Sequence, residues 1–159
     1  MSDINLKTKP HTVHINELMP IIRERLDCGQ SVCFSPRGVS MLPMLRQGID
    51  TVTLSAIERN LKKYDIGLYQ RADGSYVLHR IVRIGATYTC IGDNQFVFEK
   101  GVLPEQFIAV VTAFTHNGKE YSVSDFSYRL YCRFWHKSRF ARRCIKAIKT
   151  RIIRKTEKQ

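Results

Sequence analysis

The chain has 159 residues, 43% of them hydrophobic, which suffices for one domain with its own core and is too little for two. Its formal charge of +12 is lopsided: residues 1–125 hold 14 Lys/Arg against 13 Asp/Glu, whereas residues 126–159 hold 12 Lys/Arg against one acid, Glu157. That step predicts a near-neutral globular body, 1–125, joined to a basic segment, 126–159, with a separate role.

At the N-terminus Asp3, Lys7, Lys9 and Pro10 precede any apolar block, so the apolar centre of a secretory signal is missing and a cytoplasmic location is expected. The longest uncharged run, Gln106–Gly118, falls short of the roughly 18 apolar residues that a membrane-spanning helix requires. Five scattered cysteines, Cys28, Cys33, Cys90, Cys132 and Cys144, lack metal-ligand pairing and read as reduced packing residues. Neither a metal nor a cofactor is expected.

Leu18, Ile21, Ile22 and Leu26 recur at helical spacing, predicting an amphipathic helix over Ile15–Cys28 that stops before Gly29 and carries Pro20 in its first turn. The signal then changes to short β segments: Ser31–Ser35, Thr51–Leu54, Ile66–Arg71, Tyr76–Ile84, Thr87–Ile91, Phe107–Phe114 and Glu120–Val123. Asp73-Gly74 and Asn117-Gly118 read as two-residue hairpin turns, where positive φ suits Gly and Asn. The body is therefore expected to be mainly antiparallel β. From Phe126 onward Leu130, Phe134, Ala141, Ile145, Ile148 and Ile152 form one stripe amid basic residues, with Tyr128, Tyr131 and Trp135 near its start, predicting a basic amphipathic helix.

A serine becomes a nucleophile only beside a base that takes its proton. Ser40 is the best placed, in Arg37-Gly38-Val39-Ser40-Met41-Leu42-Pro43, where Gly38 permits a sharp turn and Pro43 restricts the chain just after. A plain loop serine is the competing reading for that string alone. Further strings follow in order: Leu45-Arg46-Gln47-Gly48-Ile49-Asp50, Lys63-Tyr64-Asp65-Ile66-Gly67-Leu68-Tyr69, Val77-Leu78-His79-Arg80-Ile81-Val82 and Ile91-Gly92-Asp93-Asn94-Gln95.

Over about residues 31 to 114 this succession resembles the type I signal peptidases. In that family a Gly-x-Ser-Met-x-Pro box holds the nucleophile, a Gly-Asp-Ile-Val-like box opens a strand and a Gly-Asp-Asn box follows the base. The resemblance implies a coiled, barrel-like all-β catalytic domain, related to that of the LexA-like self-cleaving repressors, in a small form without a transmembrane anchor. The usual bacterial enzymes carry a lysine base where His79 stands here, and residues 64–99 contain no lysine. Arg80 cannot substitute, because a guanidinium stays protonated. What remains is similar to the Ser–His branch of endoplasmic-reticulum and archaeal-type enzymes, and an imidazole of ordinary pKa ~6.5 can accept a proton near neutrality. A core histidine satisfied by a backbone carbonyl is the alternative for His79.

By the same resemblance Asp93 and Glu99 compete to orient His79, with a turn-closing role open for Asp93. The Ser40 N–H is the expected oxyanion donor. Gly38 stands where some relatives add a hydroxyl. Phe34, Gly38 and Met41 are expected to line the substrate site, and an extended peptide is expected to pair with Cys33–Pro36 and part of Ile66–Arg71. The function implied is a serine endopeptidase acting on a signal- or leader-type precursor. The rival readings are an inactive binding module of the same fold and an adaptor that holds a peptide uncut; the N-terminal region leaves no room for a repressor's helix-turn-helix. For the basic segment, peripheral binding to an anionic membrane through Arg133, Trp135, Arg142 and Arg143 leads. Nucleic acid, or a helix packed on the body with a solvated basic face, are the alternatives.

Overall fold

The first element of the computed structural model, which describes residues 15–145, is helix α1, Ile15–Asp27. Met19, Ile22 and Leu26 are its buried face, and Ile21, expected on that face, is half exposed at 54%. Pro20 lies inside α1 instead of in its first turn. Its side chain and Asn16, whose carbonyl would have accepted the missing N–H, are both exposed, so the lost bond falls on the solvent side of the helix, where it costs least. Gly29, at φ +70, closes the helix as Gln30 N–H donates back to the Arg25 carbonyl.

Eight antiparallel strands follow: β1 Val32–Phe34, β2 Val52–Ser55, β3 Ile66–Gln70, β4 Tyr76–Ile84, β5 Tyr88–Ile91, β6 Glu99–Val102, β7 Phe107–His116 and β8 Lys119–Ser122. They form one sheet in the order β1-β2-β7-β3-β4-β5-β6, with β8 also on β7. The mainly-β class agrees with the sequence reading, but the sheet runs from β1 to β6 without closing into a barrel. Strand β6 escapes the sequence pattern because Glu99-Lys100-Gly101 has no apolar alternation and Gly101 takes φ +78. Asn117 (φ 52) and Gly118 (φ 74) make the two-residue turn expected between β7 and β8. The other hairpin differs: only Gly74 is left-handed (φ 83), and Arg71 N–H pairs with the Ser75 carbonyl around a three-residue loop.

Alternation sends the strands' side chains to two cores. One face, with Val52, Leu54, Ile66, Leu68, Leu78 and Val111, packs on α1 and on the loop carrying Met41, Met44 and Leu45. The other holds Tyr69, Ile81, Cys90, Val102 and Phe107. Helix α2, Phe126–Lys137, buries Tyr128 and Cys132 in the first core, so the basic segment belongs to the folded body from its first turn. The single continuous helix expected there breaks at Ser138, and helical backbone resumes over 139–145. Lys7 and Lys9 at one end, and Lys146, Ile148, Lys149, Ile152 and Arg154 at the other, lie outside the described residues. No helix among those described is long and apolar enough to cross a membrane. Of the cysteines read as packing residues, Cys90 and Cys132 are buried, while Cys28, Cys33 and Cys144 are exposed. Burial pushes the Cys90 thiol up to about 12.

Candidate active site

Strand β1 ends at Phe34 and the chain turns at Gly38, whose φ of +95 suits glycine. The following loop is held from several sides. Met41, Met44 and Leu45 are buried under it. Gly38 N–H donates to Gln47 Oε1 at 2.8 Å, and the Arg46 guanidinium grips the buried Asp50 through two bonds of 2.8 and 2.7 Å. Behind Ser40 sits Gly92-Asp93-Asn94. Asn94 N–H donates to the Ser40 carbonyl at 2.8 Å and Asn94 Nδ2 to the Val39 carbonyl at 3.1 Å. A Cβ on Gly92 would lie 2.6 Å from the Ser40 carbonyl oxygen, so only glycine permits this approach. Among the described residues the Ser40 N–H donates to no acceptor, leaving a backbone donor free beside the hydroxyl.

His79 stands on β4 opposite Gly67 of β3 and is 2% exposed. Tyr69, two residues beyond Gly67 on the same strand face, places its hydroxyl 3.3 Å from His79 Nδ1 and donates to Glu99 Oε2 at 2.8 Å. Glu99 Oε2 is itself 3.5 Å from Nδ1. Because the tyrosine proton goes to the carboxylate, its oxygen is left to accept from Nδ1–H, which selects the tautomer with a bare, basic Nε2. Arg71 completes the chain by donating to both Glu99 oxygens, at 2.7 and 2.8 Å. Burial opposes the Glu99 charge, but Arg71 and Tyr69 outweigh it and hold the carboxyl below its usual range. Burial likewise holds the His79 imidazole below its usual range, with Glu99 pulling the other way. Burial and the bond to Glu99 push the Tyr69 phenol well up, so it stays protonated.

Ser40 and His79 line one cavity of about 160 Å³, together with Phe34, Gly38 and Met41. Ile15 and Leu18 of α1, Arg37, Tyr76 and Leu78 complete much of its wall. No hydrogen bond joins Ser40 Oγ to His79. Two strand edges border this space. β1 ends the sheet order, so its outer edge is unpaired. β4 pairs with β5 only from Arg80 onward, leaving the β5-side edge of Tyr76–His79 without a partner strand. The expectation for Ile66–Arg71 is corrected: β3 pairs with β4 on one side and β7 on the other, so its ladder groups are already engaged.

The choice between the two carboxylates falls to Glu99. Asp93 is 4% exposed and accepts two bonds of 2.7 Å from Arg80, itself 2% exposed. Arg80 also donates to Tyr128 Oη, the Tyr64 carbonyl and Cys132 Sγ. An uncompensated guanidinium could not be buried there, so Asp93 neutralises Arg80 instead of orienting His79. Two of the four expected membrane residues are engaged by the same cluster. Trp135 Nε1 donates to the Asp93 carbonyl at 2.9 Å, and Arg142 stacks 3.7 Å over the Trp135 ring while donating to the Asp93 and Trp135 carbonyls. Arg133 and Arg143 are exposed.

Tyr69 and Arg71 escaped the sequence reading, since on a strand an aromatic and a terminal arginine read as β-propensity and solubility. Their period-2 spacing, which puts both on one face of the strand, was the available signal. No family model matches the chain, and neither the curated proteins nor the solved structures searched contain a match.

Proposed function

We propose that the chain is a serine endopeptidase with Ser40 as nucleophile and His79 as base, of the signal peptidase and LexA-like type, cutting an extended segment of a precursor on the cytoplasmic side. The observation that carries this reading is the shared cavity: two side chains far apart in sequence meet there, and the histidine is backed at Nδ1 by a hydroxyl and a carboxylate. A substrate strand entering between the free edges of β1 and Tyr76–His79 would lie across Ser40. Ser40 Oγ attacks the scissile carbonyl as Nε2 takes its proton, and the Ser40 N–H stabilises the oxyanion. Collapse expels the amine with the proton returned from Nε2. Water, deprotonated by the same nitrogen, then hydrolyses the ester and frees Ser40.

The missing Ser40–His79 hydrogen bond favours one competing reading, a module that holds a peptide without cutting it. Incubating the purified chain with a library of leader-type peptides, alongside Ser40→Ala and His79→Ala, separates the two. Cleavage that each substitution lowers by about 10²-fold or more supports the peptidase; binding without cleavage, alike in all three, supports the module.

A further inference from the structure

Helix α2 presents two faces of different character. Its inner face is fixed by Tyr128, Cys132 and Trp135 against the Arg80–Asp93 cluster. The opposite face carries Phe126, Leu130 and Phe134 at successive i,i+4 positions, with exposures of 79%, 42% and 67%. Beyond Ser138, Phe140 and Ile145 are exposed at 78% and 53%. Large side chains left this bare on a helix pinned from behind are not disordered core; they form a patch of the kind that meets a partner.

Around this patch stand Arg129, Arg133, Lys137 and Arg143, all exposed. Among the described residues none of the four is ion-paired, and no acid occurs between Phe126 and Ile145. We propose that the outer face of α2 and of residues 139–145 docks on an anionic lipid leaflet, the rings entering the headgroup boundary while the cations meet lipid phosphates. A nucleic acid would satisfy the cations but leave three phenylalanines in water, whereas a leaflet accommodates both features. The docking residues are therefore the outward Phe126, Phe134 and Phe140 with the exposed cations, and Trp135 and Arg142 serve as the clamp behind them. Vesicle binding is read without turnover, so this surface stands or falls apart from the peptidase proposal.

The test is cosedimentation of the full chain with vesicles of phosphatidylcholine, with and without phosphatidylglycerol, across a salt series. Binding is expected only where the anionic lipid is present and should weaken as salt rises. Phe126→Ser, Phe134→Ser and Phe140→Ser combined should lower the vesicle partition coefficient by about tenfold or more. These exposed positions should leave the thermal melt unchanged; a separate Arg133→Gln, Arg143→Gln variant should lose part of the salt dependence. Trp135, the only tryptophan, should be only weakly quenched by brominated lipid, because its ring is part-buried against the Asp93 carbonyl and Arg142. The proposal is overturned if wild type does not sediment, if the triple variant binds undiminished, if Trp135 is strongly quenched, or if duplex DNA binds more tightly than the vesicles. A self-associated chain whose dimer hides Phe134 and leaves vesicles unbound also overturns it.

Discussion

At His79 two opposed effects decide whether an imidazole can serve as base. Burial disfavours its charged form, the Glu99 carboxylate favours it, and burial prevails. As the proposed base, His79 would act when neutral, so kcat/KM should rise with pH through an inflection below the ordinary histidine value of ~6.5 and be flat at neutrality. Glu99→Gln removes the main group raising that value and leaves the Arg71 charge, which lowers it, without a partner. Both changes move the inflection to still lower pH. Tyr69→Phe deletes the hydroxyl that receives the Nδ1 proton, and losing one such bond, about 1 kcal/mol, should cut kcat roughly fivefold. KM should hardly move. A pH–rate series on wild type and both variants checks all of this; an inflection that rises in Glu99→Gln would contradict the assignment.

Among the elements, the most consequential support is one loop under another: Gly92-Asp93-Asn94 beneath Ser40, itself held by Trp135 of α2 and by Arg142 beyond the break at Ser138. Asp93→Asn would leave the Arg80 charge buried without its counter-ion, a loss of about 3–5 kcal/mol, readable as a lower midpoint in urea. Glu99→Gln, at a more open pair, should cost much less stability while costing more activity. The Gly-Asp-Asn string was legible through its resemblance to a family box. Its purpose was not, since no one-dimensional pattern says that Asp93 turns toward Arg80 and Asn94 toward the Ser40 carbonyl. The same limit applies to α2. Aromatic residues occupy both of its faces, so periodicity could not tell the clamp, Trp135, from the outward Phe134.

For the molecule as a whole, seven of the eight strands and the Asn117-Gly118 hairpin followed from alternation and turn residues, and the helix at Ile15 from its apolar spacing, whereas β6 and the three-residue loop before Ser75 did not. What sequence patterning left open was closure: local periodicity sets faces and registers, while the path from β1 to β6 depends on which distant strands meet, as β7 does with β2, β3 and β8. The functional reading rests on a similarly distant meeting, that of the β1–β2 loop with the first half of β4. Covalent labelling with a fluorophosphonate, located by mass spectrometry and timed in wild type and in His79→Ala, tests that meeting most directly. The expected result is an adduct on Ser40 that forms at least about 10²-fold more slowly without the imidazole; an adduct elsewhere, or labelling at the same rate in both chains, would contradict it.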